Sequence, residues 1–211
     1  MKALLLVSLL AQASAASPDL PRFDAHAVAG WQNLHKPQQQ PYYDDWLNAI
    51  LYGGAGAGWY WTDHLKMQVD FGGGTRADQY RTRQFLVAGQ PAYESSRAAI
   101  QETSLSIGQQ YQFFRNQWFH PHVGAGLELA HETTRVEYLA VSVYDSATRT
   151  SRLLTPEHTD SPESRLLARG FADGGFKAYM TRRAFFLGDM RVMFRGGIDE
   201  VLFRAGFGID F

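Results

Sequence analysis

Val201-Leu202-Phe203-Arg204-Ala205-Gly206-Phe207-Gly208-Ile209-Asp210-Phe211 is the stretch that decides the fold. Its odd positions carry Val, Phe, Ala, Phe, Ile and Phe, and its even positions Leu, Arg, Gly, Gly and Asp. A period of two marks an extended strand whose successive side chains point to opposite faces. One face is too charged for a core and the other too aromatic for water. Lipid on one side and a polar lumen on the other satisfies both, and about ten residues is the length such a strand needs.

The same alternation recurs upstream. Leu65, Met67, Val69 and Phe71 oppose Lys66, Gln68, Asp70 and Gly72; Leu105, Ile107, Tyr111 and Phe113 oppose Ser104, Ser106, Gly108, Gln110 and Gln112. Phe119, Val123, Ala125, Leu127 and Leu129 oppose His120, His122, Gly124, Gly126 and Glu128. Leu166, Ala168, Ala172, Phe176, Ala178 and Met180 oppose Arg165, Arg169, Asp173 and Lys177, while Phe186, Met190, Val192 and Phe194 oppose Asp189, Arg191 and Arg195. Two further strands are weaker. One runs from Leu47 to Trp61, rich in glycine, with Leu47, Ala49, Leu51, Ala55, Ala57, Trp59 and Trp61 expected outward. Its glycines suit sharp curvature or bulky lumen neighbours. The other runs from Arg22 to Leu34, with Phe23, Ala25, Ala27, Ala29 and Trp31 on one face. The expectation is an all-β chain: a closed antiparallel transmembrane barrel of about eight strands.

Connections alternate in length. Thr62-Asp63-His64, Arg115-Asn116 and Thr181-Arg182-Arg183 are tight, whereas His35 to Asp45, Ala77 to Arg97 and Thr133 to Glu163 are long. Only Gly196-Gly197-Ile198-Asp199 is short on the long side. Short periplasmic turns and long extracellular loops are the two ends of such barrels. Trp59, Trp61, Phe113, Trp118, Phe185 and Phe211 gather beside the tight turns as an interfacial girdle, with Trp31, Tyr42, Tyr43 and Trp46 for the outer one. Within the long links, Arg135 to Asp145 and Arg149 to Leu154 read as a hairpin, and Arg83 to Val87 before Ala88-Gly89-Gln90-Pro91 as a second. Pro156 to Pro162 is expected to be irregular.

At the other end, Met1-Lys2, the apolar run Ala3 to Leu10 and Ala13-Ser14-Ala15 read as a secretory signal peptide over 1–15, leaving the barrel over 16–211. The run is too short for a membrane helix. No cysteine is present, which removes disulfides and thiolate metal sites. A formal net charge of -1 provides no field to recruit nucleic acid.

On these strands and loops the chain resembles the small eight-stranded outer-membrane barrels, the OmpA transmembrane domain and OmpX being familiar members. The resemblance is architectural over the mature length and specific in residues only at Phe203 to Phe211. There Phe207, Ile209 and Phe211 resemble the C-terminal signal by which barrel-assembly machinery recognises its clients. It implies location in the bacterial outer membrane, contact with its lipid, and a monomer.

Chemistry is sparse. Lys66, Asp70, Glu102, Glu128, Arg165, Arg169, Asp173, Lys177, Asp189, Arg191, Arg204 and Asp210 are expected to face the lumen. An eight-stranded interior is just wide enough for side chains to fill it, so mixed signs read as a packed ion-pair network rather than a pore lining. His120 and His122 share a face with Glu128, but their place beside a tight turn is ordinary for interfacial histidine, and no metal or cofactor is assigned. Lipid A deacylases of this architecture use a His-x-Ser pair, and neither His120-Pro121-His122 nor Ala130-His131-Glu132 supplies the serine. The palmitoyltransferase type adds an N-terminal amphipathic helix that Pro18 to Arg22 cannot form. The expectation is therefore not an enzyme but a structural or surface-interaction protein of the envelope, the alternative being a narrow channel for small solutes. Tyr138, Val141, Val143 and Tyr144 are the expected contacts for an extracellular protein partner.

Overall fold

A computed structural model describes residues 23–36, 46–87, 89–113, 118–145 and 149–211. The expected signal peptide, Tyr42 and Tyr43 of the outer girdle, and the Arg115-Asn116 turn lie outside the described residues. Among the described residues, twelve strands follow in order: β1 (Phe23–His35), β2 (Trp46–Tyr60), β3 (Leu65–Gly74), β4 (Ala77–Val87), β5 (Gln90–Gln112), β6 (Phe119–Tyr138), β7 (Val141–Asp145), β8 (Thr150–Thr155), β9 (His158–Thr159), β10 (Glu163–Tyr179), β11 (Ala184–Phe194) and β12 (Ile198–Asp210).

Eight of these, β1, β2, β3, β5, β6, β10, β11 and β12, pair antiparallel with their neighbours around a ring. The ring closes where β1 meets β12, in register from Asp24↔Asp210 to Leu34↔Glu200, and Phe211 N donates to Phe23 O at 2.9 Å. Closure leaves no ladder edge within the hydrocarbon, the condition under which strands can cross a membrane. Along β6 the outward residues from Phe119 to Leu129 are apolar, about 33 Å of strand that a tilt near 40° lowers to about 25 Å of height. The terminal strand behaves as its alternation requires, with Phe203, Phe207, Ile209 and Phe211 exposed outward and Leu202, Arg204, Gly206 and Asp210 buried inward.

Above the lipid band the sheet continues. β4 pairs with the first half of β5 from Ala77↔Ile100 to Val87↔Gln90, with Gly89 at the tip in the left-handed region (φ 80). β7 and β8 form the second hairpin. The link from Pro156 to Pro162, expected to be irregular, contains β9 instead: His158–Thr159 pairs with Tyr138 and Glu137 of β6, and the His158 ring stacks on Tyr138 at 4.7 Å.

Two assignments of face change. Leu47 is buried rather than outward, because Asn33 alone on β1 opposes both Asn48 and Ala49 on β2, and this bulge reverses the alternation. It joins Leu34, Ile50 and Ile100 in an apolar cluster at the extracellular end. Phe185 leaves the girdle for the lumen at 1% exposure, since its neighbour Phe186 takes the lipid side. Being near a turn fixes a residue's height, not its face.

Candidate functional site: the lumen network

Inward parity on eight strands brings charges together in tiers. At the periplasmic end Lys177 Nζ lies 3.2 Å from Asp24 Oδ2 and 2.5 Å from Asp210 Oδ1, and Lys66 Nζ lies 3.1 Å from Asp24 Oδ2. Tyr60 OH donates to Asp24 Oδ2 at 2.9 Å and Tyr179 OH to Asp210 Oδ2 at 2.5 Å. The Lys177 ammonium also sits 3.7 Å from the Phe185 ring centroid, which gives the displaced aromatic a purpose. Two acids meet two cations, so the tier is neutral.

The middle tier is built around Asp70. It accepts from Arg191 NH2 at 2.7 Å, Arg204 NH1 at 3.2 Å and Gln68 Nε2 at 2.9 Å, and lies 2.9 Å from His26 Nε2. Arg204 also grips Asp189 through Nε and NH2, at 2.8 and 3.1 Å. Arg191 reaches Asp173 at 3.3 Å and Ser106 Oγ at 2.7 Å, with its guanidinium 4.0 Å from the Phe171 ring centroid. The glycines of β2 make room for this. A Cβ at Gly56 would lie 2.1 Å from Asp70 Oδ1 and 2.6 Å from His26 Nε2, and one at Gly58 would lie 2.6 Å from Asp24 Oδ1.

The upper tier has a different balance. Arg169 NH2 meets Glu102 at 2.6 Å, Glu128 at 2.6 Å and Glu200 at 2.8 Å, Nε adds a second bond to Glu128 at 3.1 Å, and NH1 reaches Asp199 at 3.4 Å. Gln32 Nε2 adds bonds to Glu102 at 3.3 Å and Glu200 at 3.0 Å. One terminal guanidinium nitrogen has two N–H bonds for three carboxylates, and Glu102 Oε2 and Glu200 Oε2 are left without hydrogen-bond donors. Glu102, Glu128 and Glu200 also form, among the described residues, the cluster whose oxygens are close enough to share a cation. At the mouth, Glu132 pairs with Lys36 and with Arg165 NH2 at 2.6 Å.

Of the charges expected in the lumen, Lys66, Asp70, Glu102, Glu128, Arg169, Lys177, Arg191, Arg204 and Asp210 are buried and Asp173 and Asp189 half-buried. Arg165 is corrected: its side chain is 48% exposed, at the rim rather than in the interior, because β10 has left the membrane there. Asp24, His26, Gln32, Glu132 and Glu200 are members that sequence reading missed. His122 is buried and His120 lies 5.1 Å from the Tyr179 ring, whereas Glu128 belongs to the tier of Arg169. The lumen also has an apolar wall, made by Val28, Tyr52, Phe171, Phe185, Leu187, Met193 and Leu202.

The expected loop contacts separate. Val141 is buried at 1% exposure, a correction that goes with its strand, β7, lying against β5. Tyr138 is half-buried under His158 and Val143 is half-buried, while the side chain of Tyr144 lies outside the description. Exposed apolar groups at the extracellular end are instead Tyr80, Leu86, Tyr93 and Leu153 on strands and Leu139 in the link after β6. Just above the lipid band, Arg97 bonds Asp78 at 2.6 Å and holds its carboxyl below the usual range.

A closed, side-chain-filled ring with an apolar belt defines an integral β-barrel of the bacterial outer membrane. The chain belongs to the outer membrane protein β-barrel domain family, whose model matches residues 3–155. Among solved structures it is similar to Neisserial surface protein A (14% identity, 90% of this chain and 97% of that one, TM-score 0.54). It is also similar to Ail of Yersinia pestis (8% identity, 91% and 100%, TM-score 0.53) and OprG of Pseudomonas aeruginosa (12% identity, 90% and 97%, TM-score 0.53). At such identities the likeness is one of fold. No curated protein sequence matches the chain.

Proposed function

We propose that this barrel is a closed scaffold acting in envelope structure and surface interaction, with its contacts made by the extracellular hairpins and no catalytic step. The observation that carries the reading is the filled lumen. Buried ionic groups follow one another from Asp24 and Asp210 through Asp70 and Arg191 to Arg169 and Glu132, each tied to residues on other strands. Opening a solute path means separating buried pairs, at about 3–5 kcal/mol for each partner left alone. Exposed Leu86 (72%), Tyr80 (63%) and Leu153 (57%) on the hairpins add support, since a partner that covers them removes apolar surface from water.

Single-channel recording of refolded protein in planar bilayers tests the reading, and steady baseline current is expected. Discrete conductance that Glu200→Gln or Asp24→Asn alters would replace it with the narrow solute channel. Excising the β7–β8 hairpin, residues 141–155, should leave the barrel folded while reducing adhesion or partner capture at the cell surface.

A further inference from the structure

The lipid-facing surface is not uniform. On β3, β5, β6 and β10 it carries a groove of about 460 Å³ whose apolar lining is Val69, Leu105, Ile107, Leu127, Leu129, Ala168 and Gly170. Strand register sets its height. Ile107, Leu127 and Gly170 form one row and Leu105, Leu129 and Ala168 the next, toward the extracellular side. The rows above turn progressively polar: His131 lies between Thr103 and Leu166, then Thr133 between Gln101 and Ser164, then Arg135 beside Ala99. The groove therefore ends where hydrocarbon gives way to headgroups, in the outer leaflet.

Gly170 keeps it open. Another outward glycine, Gly188, is roofed by the Phe176 ring, whose atoms lie 3.1 Å from the position of a Cβ. A Cβ at Gly170 would meet nothing nearer than Gly126 O at 4.0 Å. The rim above offers a cation, Arg135, that has no ion-pair partner among the described residues. Arg97 is engaged by Asp78 and Glu137 and Arg76 by Asp78, while Arg135 is exposed with an alanine for its cross-strand neighbour. Two strand positions below Arg135, Thr133 Oγ1 and Ser164 Oγ are 3.0 Å apart, and His131 is exposed two positions lower still.

We propose that this groove binds one acyl chain of the phosphorylated, multiply acylated glycolipid of the outer leaflet, with Arg135 and His131 on its phosphate. The apolar groove takes the chain by shape and burial. Arg135 offers a planar donor pair to phosphate oxygens, and His131 a ring N–H. The Thr133–Ser164 hydroxyls lie between them, at the height of the sugar.

The test is native mass spectrometry of the folded full-length chain in detergent. The probes are a hexa-acylated bis-phosphorylated lipid A, its dephosphorylated form and phosphatidylglycerol. The wild type should retain one lipid A in preference to either competitor. Gly170→Leu fills the groove without backbone strain and should weaken retention about tenfold or more. Gly174→Leu, on the same strand and face but outside the groove, should not. Its Cβ would meet only His122 O, at 3.8 Å. The His131→Ala/Arg135→Ala variant should keep chain binding but lose the preference for the phosphorylated form. Heat-modifiable mobility monitors folding, and Ala168→Leu enters the same groove should Gly170→Leu fail to fold. Equal retention by the groove-filled and wild-type proteins, or equal binding of phosphatidylglycerol, overturns the proposal. So does unchanged phosphate discrimination in the double variant.

Discussion

The two ends of the lumen solve the same problem differently. At the periplasmic end Asp24 and Asp210 meet Lys66 and Lys177, charge for charge, with the Tyr60 and Tyr179 hydroxyls donating to them and Asp24 Oδ1 alone of the four oxygens without a donor. At the extracellular end Arg169 is shared among Glu102, Glu128 and Glu200, and carboxylate oxygens remain without donors. The lesson concerns removal. In a balanced tier every member is needed by its partner, whereas in an acid-rich tier the cation is indispensable and an acid can be spared.

Arg169→Met should therefore be the most damaging change, lowering stability by about 3–5 kcal/mol, because it leaves several buried carboxylates without their cation. Urea unfolding of the refolded protein in micelles measures it, and a loss below about 1 kcal/mol would mean that water already solvates the upper tier. Asp24→Asn at the lower end should cost about 2–3 kcal/mol, since Lys66 and Lys177 lose a shared charged acceptor. Glu200→Gln should change stability by no more than about 1 kcal/mol in either direction, as it relieves like charges while keeping an acceptor. Finding Glu200→Gln as costly as Asp24→Asn would abolish the distinction between the tiers.

The smallest effect is expected outside the membrane. Asp78 is held below the ordinary carboxylate range, first by its hydrogen bond from Arg97. The support it gives the β4–β5 stem is therefore present above the unfolded-state value near 4 and is lost as pH falls through the depressed one. Protection of the stem amides, exchange taken relative to the intrinsic rate at each pH, should fall in that acid window while the lumen tiers stay protected, and Asp78→Asn should flatten the response. An unchanged exchange profile at low pH would show that the pair contributes nothing to the stem.

Alternation carries most of what the sequence discloses. It places Phe203 to Phe211, the lipid face of β6 and most lumen charges, because a strand with two solvents permits only one parity. It fails where parity is broken or truncated. The bulge opposite Asn33 turns Leu47 inward, and a bulge depends on the partner strand rather than on local residues. Glu200 was within reach: continuing the even positions of β12 past Leu202 leads to it, but the Gly196-Gly197-Ile198-Asp199 turn masks how early that strand begins. Asp24 and His26 lay on the weakest strand, where alanines dilute the contrast between faces. The tiers themselves could not be read, since which inward residues share a height depends on stagger around the whole ring.

The seam between β1 and β12 has a consequence in time. Lys177 on β10 bridges Asp24 on the first strand and Asp210 on the last, so this contact waits for the two most distant parts of the chain to meet. Hairpins such as β2–β3 and β10–β11 form from neighbours, whereas joining the ends pays a large loop-closure entropy before any reward arrives. Maturation should thus be late and cooperative, with an open curl of paired strands as the long-lived precursor, its buried charges still wet until the final zip.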